Sequence, residues 1–331
     1  MVKLLKVHGS GNDFFLLDQT KLSEPLNEKE IRTLAQQMCD RKKGTTGGAD
    51  GLLLVTKSNK GALARMRVIN ADGSEASMCG NGLRTVARYL AEKNSLTNDE
   101  TFQVETMQAN LQVKGAKQFA DQVPAFDVEI SPVSFQAADI GMHLDHAELQ
   151  DTIIPELSPS LKFSAVAVPN PHLIAFVDHA TLAGDQLVEL GARLNSANPY
   201  FPDGVNVSFV EILAENEIFV RTYERGVGLT NACGTAMSAS SLLYVMQVLG
   251  QRGLEKELRV NNPGGMVKTV VHQRENGEYW ISLIGNATFV AEVTLNLKEA
   301  MQGNFASLVW QDSGEQAAYL GFAAAVEQTN K

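Results

Sequence analysis

Ser77-Met78-Cys79-Gly80-Asn81-Gly82-Leu83-Arg84 sets a cysteine directly ahead of a Gly-Asn-Gly turn, after which Leu83, Val86, Ala87 and Leu90 recur at the spacing of one helix face. A helix is predicted to start at Cys79, its opposite face carrying Arg84, Arg88 and Glu92. The arrangement returns at Thr230-Asn231-Ala232-Cys233-Gly234-Thr235. There the small residues Ala236, Ser238, Ala239, Ser240 and Ser241 lead into Leu242, Leu243, Val245 and Met246. That helix is apolar almost all round, which suits one buried inside a strand-rich domain.

Working outward, each cysteine closes a series of matching signals. Gly11-Asn12-Asp13 before the apolar run at Phe14, then Ala49-Asp50-Gly51 before Leu52, precede Cys79. Asn170-Pro171-His172 before Leu173, then Pro202-Asp203-Gly204 before Val205, precede Cys233. Asn12 and Asn170, Asp50 and Asp203, and Cys79 and Cys233 are 158, 153 and 154 residues apart. Three motifs in one order at one offset indicate a duplication. Short β-branched or alternating runs surround both cysteines, including Ala64 to Ile69, Phe102 to Glu105, Glu217 to Thr222 and Tyr279 to Leu283, and strict βαβ alternation is absent. Further helices are predicted at Glu28 to Met38 and Thr181 to Leu194.

The fold class is therefore α+β. It comprises two pseudo-symmetric duplicated domains, each a strand-rich sheet curled around a central helix, with the active site expected in the cleft between them. The predicted domains are 1–121 and 122–284, with 285–331 a final strand returning toward the first domain plus an extra tail to which the sequence assigns no role. A linker is expected near Ala120 to Pro124, and an irregular insertion from Ser131 to Ser160.

A formal net charge of -10 without a basic run points away from nucleic acid or an anionic membrane as partner and toward a small molecule. The chain has no apolar run of membrane-spanning length, and its first residues lack a secretory pattern, so a cytoplasmic location is expected. Three cysteines, none in a C-x-x-C pair, suggest neither a disulfide framework nor a metal site. They would act as single thiols.

A helix N-terminus favours an anion, so Cys79 and Cys233 are both expected to have depressed pKa values, and the glycine after each would let a carboxylate approach the bare N–H groups. Two such thiols on one carbon suit proton removal from one face and delivery to the other, which inverts configuration. Neither a GxGxxG after a strand nor a P-loop is present, and no cofactor is expected.

"HGSGNDF" (His8 to Phe14), "NADGSEASMCGNG" (Asn70 to Gly82), "NPH" (Asn170 to His172), "GVNVSFVEI" (Gly204 to Ile212) and "YERGVGLTNACGT" (Tyr223 to Thr235) together resemble the diaminopimelate epimerase family. Proline racemases and phenazine-biosynthesis isomerases share its fold. The resemblance implies a PLP-independent isomerase, a homodimer, that interconverts LL- and meso-2,6-diaminopimelate for lysine and peptidoglycan synthesis. A related racemase or epimerase of another amino acid is the alternative. By resemblance, Cys79 and Cys233 are the catalytic thiolate and thiol, and Gly80, Asn81, Gly234 and Thr235 hold the reacting carboxylate. Asn12, His172 and Glu224 surround the reacting amino group and carbon, with Asn170 beside them, and Asn70, Asn206 and Arg225 read the distal centre. The chain departs from the family at Gly51, where some members carry glutamine, at Val168-Pro169, and at Ala236-Met237.

Plainer uses compete for some of these residues. Cys39 reads as a buried apolar residue. Asp50 and Asp203, each before glycine, read as turn residues, and Glu224-Arg225 by themselves could be a surface ion pair.

Overall fold

The computed structural model describes residues 1–329 and divides into two compact units, residues 1–128 with those from Ile284 on, and residues 129–283. In the first unit, Val2–Gly9 pairs antiparallel with Asn12–Asp18, which runs parallel to Gly51–Thr56. Gly51–Thr56 is antiparallel to Ala64–Asn70, itself parallel to Phe102–Glu105, which is antiparallel to Asn110–Ala120. In the second unit, Lys162–Ala167 is antiparallel to Pro171–Phe176, which runs parallel to Asn206–Ala214. Then come antiparallel Glu217–Glu224, parallel Glu257–Asn262 and antiparallel Gly265–Gln273.

The succession of strand directions is the same in both units, so the duplication is visible in the pairing itself. Its cause is local. Parallel neighbours need a crossover, whereas antiparallel ones can be joined by a tight turn. Every parallel step here is bridged by helix: Glu28–Cys39 and Gly80–Asn94 in the first unit, Gln186–Leu194 and Gly234–Tyr244 in the second.

Glu28–Cys39 begins with a capping box between Asn27 and Glu30 and buries Ile31, Leu34, Ala35 and Met38. The single helix predicted from Thr181 to Leu194 is two, His179–Ala183 and Gln186–Leu194, interrupted at Gly184-Asp185. Asp178 caps the first by accepting from the Thr181 N–H. The chain turns extended at Gly184, which breaks the helix despite the continuing apolar period, and Asp185 restarts it without a side-chain capping bond.

Gly234–Tyr244 is buried along its whole length, as its composition requires, and continues as a π-helical turn over Val245–Leu249. Gly80–Asn94 differs from expectation. It is not half-exposed, because Arg84 is fully buried and Arg88 nearly so. Arg88 is covered by the C-terminal tail, whose helix Glu315–Thr329 follows a strand, Val309–Asp312, that pairs with Thr288–Leu295. Glu315 grips Arg88 at 2.6 and 2.7 Å, Tyr319 meets the His8 ring edge-on with centroids 4.5 Å apart, and Phe322 packs on Phe119. The tail without an assigned role is thus part of the first unit's core.

The stretch read as a linker is a tight turn. Ala120 pairs with Val123 around it, Gln122 takes a left-handed φ of 56°, and the chain leaves the first unit within the strand Val123–Ile130. The insertion after Ser131 is mostly irregular yet contributes Ile140, Met142, Leu149, Ile154 and Leu157 to the second unit's apolar core. Among the described residues no helix is long and apolar enough to cross a membrane.

Candidate active site

In the first unit, Cys79 is the N-cap of Gly80–Asn94, in extended backbone conformation. Its Sγ accepts from the Gly82 N–H at 3.4 Å and donates toward Asn12 Oδ1 at 3.5 Å. Asn81, nearly buried, donates its Nδ2 to the same Asn12 oxygen at 3.3 Å, while its own Oδ1 has no partner among the described residues. Asn12, Cys79, Gly80 and Asn81 are therefore together.

What orients Asn12 is Asp50, read from the sequence as a turn residue. A carboxylate only accepts, so Asn12 must turn its Nδ2 to Asp50 Oδ2, at 2.5 Å, and its oxygen to the thiol. Asp50 is held by the Asp13 N–H at 3.1 Å and by Arg41 at 2.6 Å, and Arg41 also reaches Asp13. Asp50→Asn would let either amide flip. We expect about a tenfold fall in kcat, the scale of one charge-assisted hydrogen bond discounted for Asp50's partial exposure, with little change in melting temperature. Steady-state kinetics beside a thermal melt checks this; unchanged kcat would remove Asp50 from the positioning chain.

Asn70 ends its strand opposite Gly51 and donates Nδ2 to Ser74 Oγ at 2.9 Å. A Cβ at Gly51 would lie 2.4 Å from the Ile69 carbonyl oxygen, so this backbone leaves no room for a longer side chain there.

In the second unit, Cys233 caps Gly234–Tyr244 with its Sγ 3.5 Å from Thr235 Oγ1. Glu224, at the end of its strand, acts on the thiol directly and accepts from Thr230 Oγ1 at 2.6 Å, a partner the sequence did not single out. The expectation of a depressed pKa fails at Cys233. Burial, and then the Glu224 charge, push the thiol well above its usual range, against the bonds from Thr235 and the Ala236 N–H. The magnitudes explain the order: a helix end contributes about 0.3–2 kcal/mol, whereas full burial shifts a group by up to about 3–5 pKa units. Cys233 rests protonated.

Asn206 and His172 are register partners on parallel strands. Asn206 Oδ1 accepts from the Arg225 N–H at 2.8 Å, and the Arg225 guanidinium lies 3.3 Å from the Asp203 carbonyl oxygen. His172 is fully buried, its Nε2 3.1 Å from Asn170 Oδ1 and its Nδ1 without a partner among the described residues. Burial, helped by the Arg225 charge, lowers its pKa to about 3, and burial lowers His8 to about 4. Both rings are neutral in the fold. Below about pH 6.5 the unfolded chain binds protons that the folded chain refuses. Stability is thus complete above that pH and is lost as pH falls toward 4, by up to about 1.4 kcal/mol per pH unit for each ring. Urea unfolding at pH 7, 6 and 5 should show that decline, and His172→Gln should flatten it; equal slopes would exclude His172 as a contributor.

The family pattern described as "Diaminopimelate epimerase" matches residues 4–124 and 164–290, leaving out the insertion and the tail. A diaminopimelate epimerase of Ligilactobacillus salivarius is 62% identical, covering 98% of this chain and 99% of its own, and one of Lactiplantibacillus plantarum is 58% identical over 98% of each. Among solved structures, a Bacillus anthracis protein of the phenazine biosynthesis PhzF family aligns with a TM-score of 0.62 at 17% identity, over 88% of this chain and 97% of its own. A probable proline racemase from Agrobacterium radiobacter aligns at 0.61 and 16%, over 92% and 96%. At those identities the likeness concerns the fold.

Proposed function

The chain belongs to the diaminopimelate epimerase family, and from that premise we propose that it interconverts LL- and meso-2,6-diaminopimelate by two thiol-mediated proton transfers at one α-carbon. The observation that carries the reading is the repeated helix end, a cysteine N-cap followed by glycine in each unit, with one thiol resting protonated.

In this reading Cys79 as thiolate removes the α-proton while Cys233 delivers its proton to the opposite face, and the roles exchange in the reverse direction. The carbanion-like transition state places charge on the adjacent carboxylate. The N–H groups of Gly80, Asn81, Gly234 and Thr235 oppose that charge, donors fixed before the reaction begins. Asn12, Asn170, the neutral His172 and Glu224 serve the reacting amino group and carbon. Asn70, Asn206 and Arg225 take the distal centre, where a guanidinium fork matches a carboxylate. We also propose a role in lysine and peptidoglycan synthesis, a cytoplasmic location and a homodimer, on the family's pattern; light scattering on the purified protein tests the last.

The reduced protein incubated with LL-diaminopimelate in D₂O should form the meso isomer with one α-deuterium per inversion. Inversion without solvent deuterium would reject proton transfer. No turnover by the folded, reduced protein would reject the substrate and direct the search to amino acids without a distal carboxylate.

A further inference from the structure

Arg84, five residues past Cys79 on the same helix, is a cation enclosed in the first unit. Its Nε donates to the Asn286 carbonyl at 3.0 Å and its Nη2 to Ser10 Oγ at 3.1 Å, while Nη1 has no hydrogen-bond partner among the described residues. Backbone presses on it from two sides: a Cβ at Gly9 would lie 2.9 Å from Nη2, and one at Gly285 would lie 2.7 Å from Cζ. The contrast with Arg88, one turn on, is sharp. Arg88 has Glu315 and Glu92 within 2.7 Å, whereas Arg84 has no ion pair among the described residues.

A buried charge without a counter-charge is costly, so its persistence needs a compensating partner. Three titratable groups lie within electrostatic reach of Arg84. They are Cys79 on its own helix, Tyr319 on the C-terminal helix and His8 on the first strand. Burial raises Tyr319 to about 12 and lowers His8 to about 4, so both are neutral at pH 7. Burial also lowers the guanidinium, to about 10, which leaves it a cation. Of the three, Cys79 is the group that becomes an anion with an ordinary pKa nearest neutrality, about 8.5.

We propose that Arg84 is a positioning residue for Cys79, a walled-in cation whose natural counter-charge is the thiolate, with Tyr319 and the C-terminal helix as the roof that keeps water from the guanidinium. This rests on the reading of Cys79 as the base.

The test reads the thiol rather than turnover. In a Cys233→Ala background, the iodoacetamide alkylation rate of Cys79 is followed against pH by peptide mass spectrometry; Cys39, buried and raised to about 12, stays silent. Arg84→Met should raise the midpoint by about one pH unit or more, slowing alkylation at pH 7 about tenfold, and Arg84→Lys should recover most of the shift. An unmoved midpoint in cooperatively melting Arg84→Met would overturn the proposal. If Arg84→Met does not fold, Tyr319→Ala opens the roof and should also raise the midpoint; no change there overturns it equally. Should Cys79→Ala retain inversion, the base assignment falls, while the alkylation shift still reports on Arg84.

Discussion

Cys79→Ala and Cys233→Ala should each lower kcat for inversion of diaminopimelate by at least about 10²–10⁴-fold, with KM changed far less. Inversion needs one proton out and one proton in on opposite faces, so either thiol alone is insufficient. The folds should survive. Cys79 is half-buried at a helix end and loses long hydrogen bonds from the Gly82 N–H and to Asn12 Oδ1; Cys233 is buried, and alanine there leaves a cavity of one sulfur atom. A cost of about 1 kcal/mol is expected at the second site. Kinetics beside melting curves separate chemistry from stability. If one alanine variant kept wild-type inversion with both isomers, the two-thiol mechanism would fail. Because Cys233 rests protonated, Cys233→Ala should also lose the thiol that alkylates slowly near neutral pH, leaving the Cys79 signal unchanged.

Glu315→Ala should destabilise the first unit by about 3 kcal/mol, the lower end of the range for breaking a buried ion pair, because Glu92 and the Ala287 carbonyl still reach Arg88. The side chains of Arg88 and Glu315 are only 10% and 16% exposed, so solvent screens them little. Glu315 also accepts from the Phe289 N–H, and Arg88 lies over the Phe289 ring at 3.9 Å, so removing the carboxylate loosens the tail and the strand beneath it together. Glu92→Ala is the control. That carboxylate is 55% exposed, and its loss should cost under about 1 kcal/mol. Equal, small effects of the two substitutions in urea unfolding would show that the tail is not anchored through Arg88.

The parts of this architecture readable from sequence are those written in local chemistry. Cysteine-glycine at two helix starts, the turns at Asn12 and Asn170, the aspartate-glycine turns at Asp50 and Asp203, and the apolar runs between them recur in order, and the strand pairing recurs with them. What escaped was decided at a distance. Arg84 and Arg88 have the helix spacing of exposed residues, but the segments that bury them, around Asn286 and Glu315, lie about two hundred positions later, with separations of 202 and 227 residues. Asp50 sits in an ordinary turn signal, and its hold on Asn12 depends on the pairing of Asn12–Asp18 with Gly51–Thr56. The Cys233 thiol was misread because a helix end is visible in sequence, whereas burial and the approach of Glu224 are not. The helix break at Gly184-Asp185, by contrast, was there to be read.

The first unit is assembled from both ends of the chain, and this has a consequence for synthesis. Residues 129–283 form an uninterrupted segment that can fold as it leaves the ribosome. Val2–Gly9, made first, must wait for Thr288–Leu295 to complete its pairing, and Arg88 and His8 wait longer still for Glu315 and Tyr319. A nascent chain released early would carry both cysteines yet lack the cover over the helix that Cys79 begins.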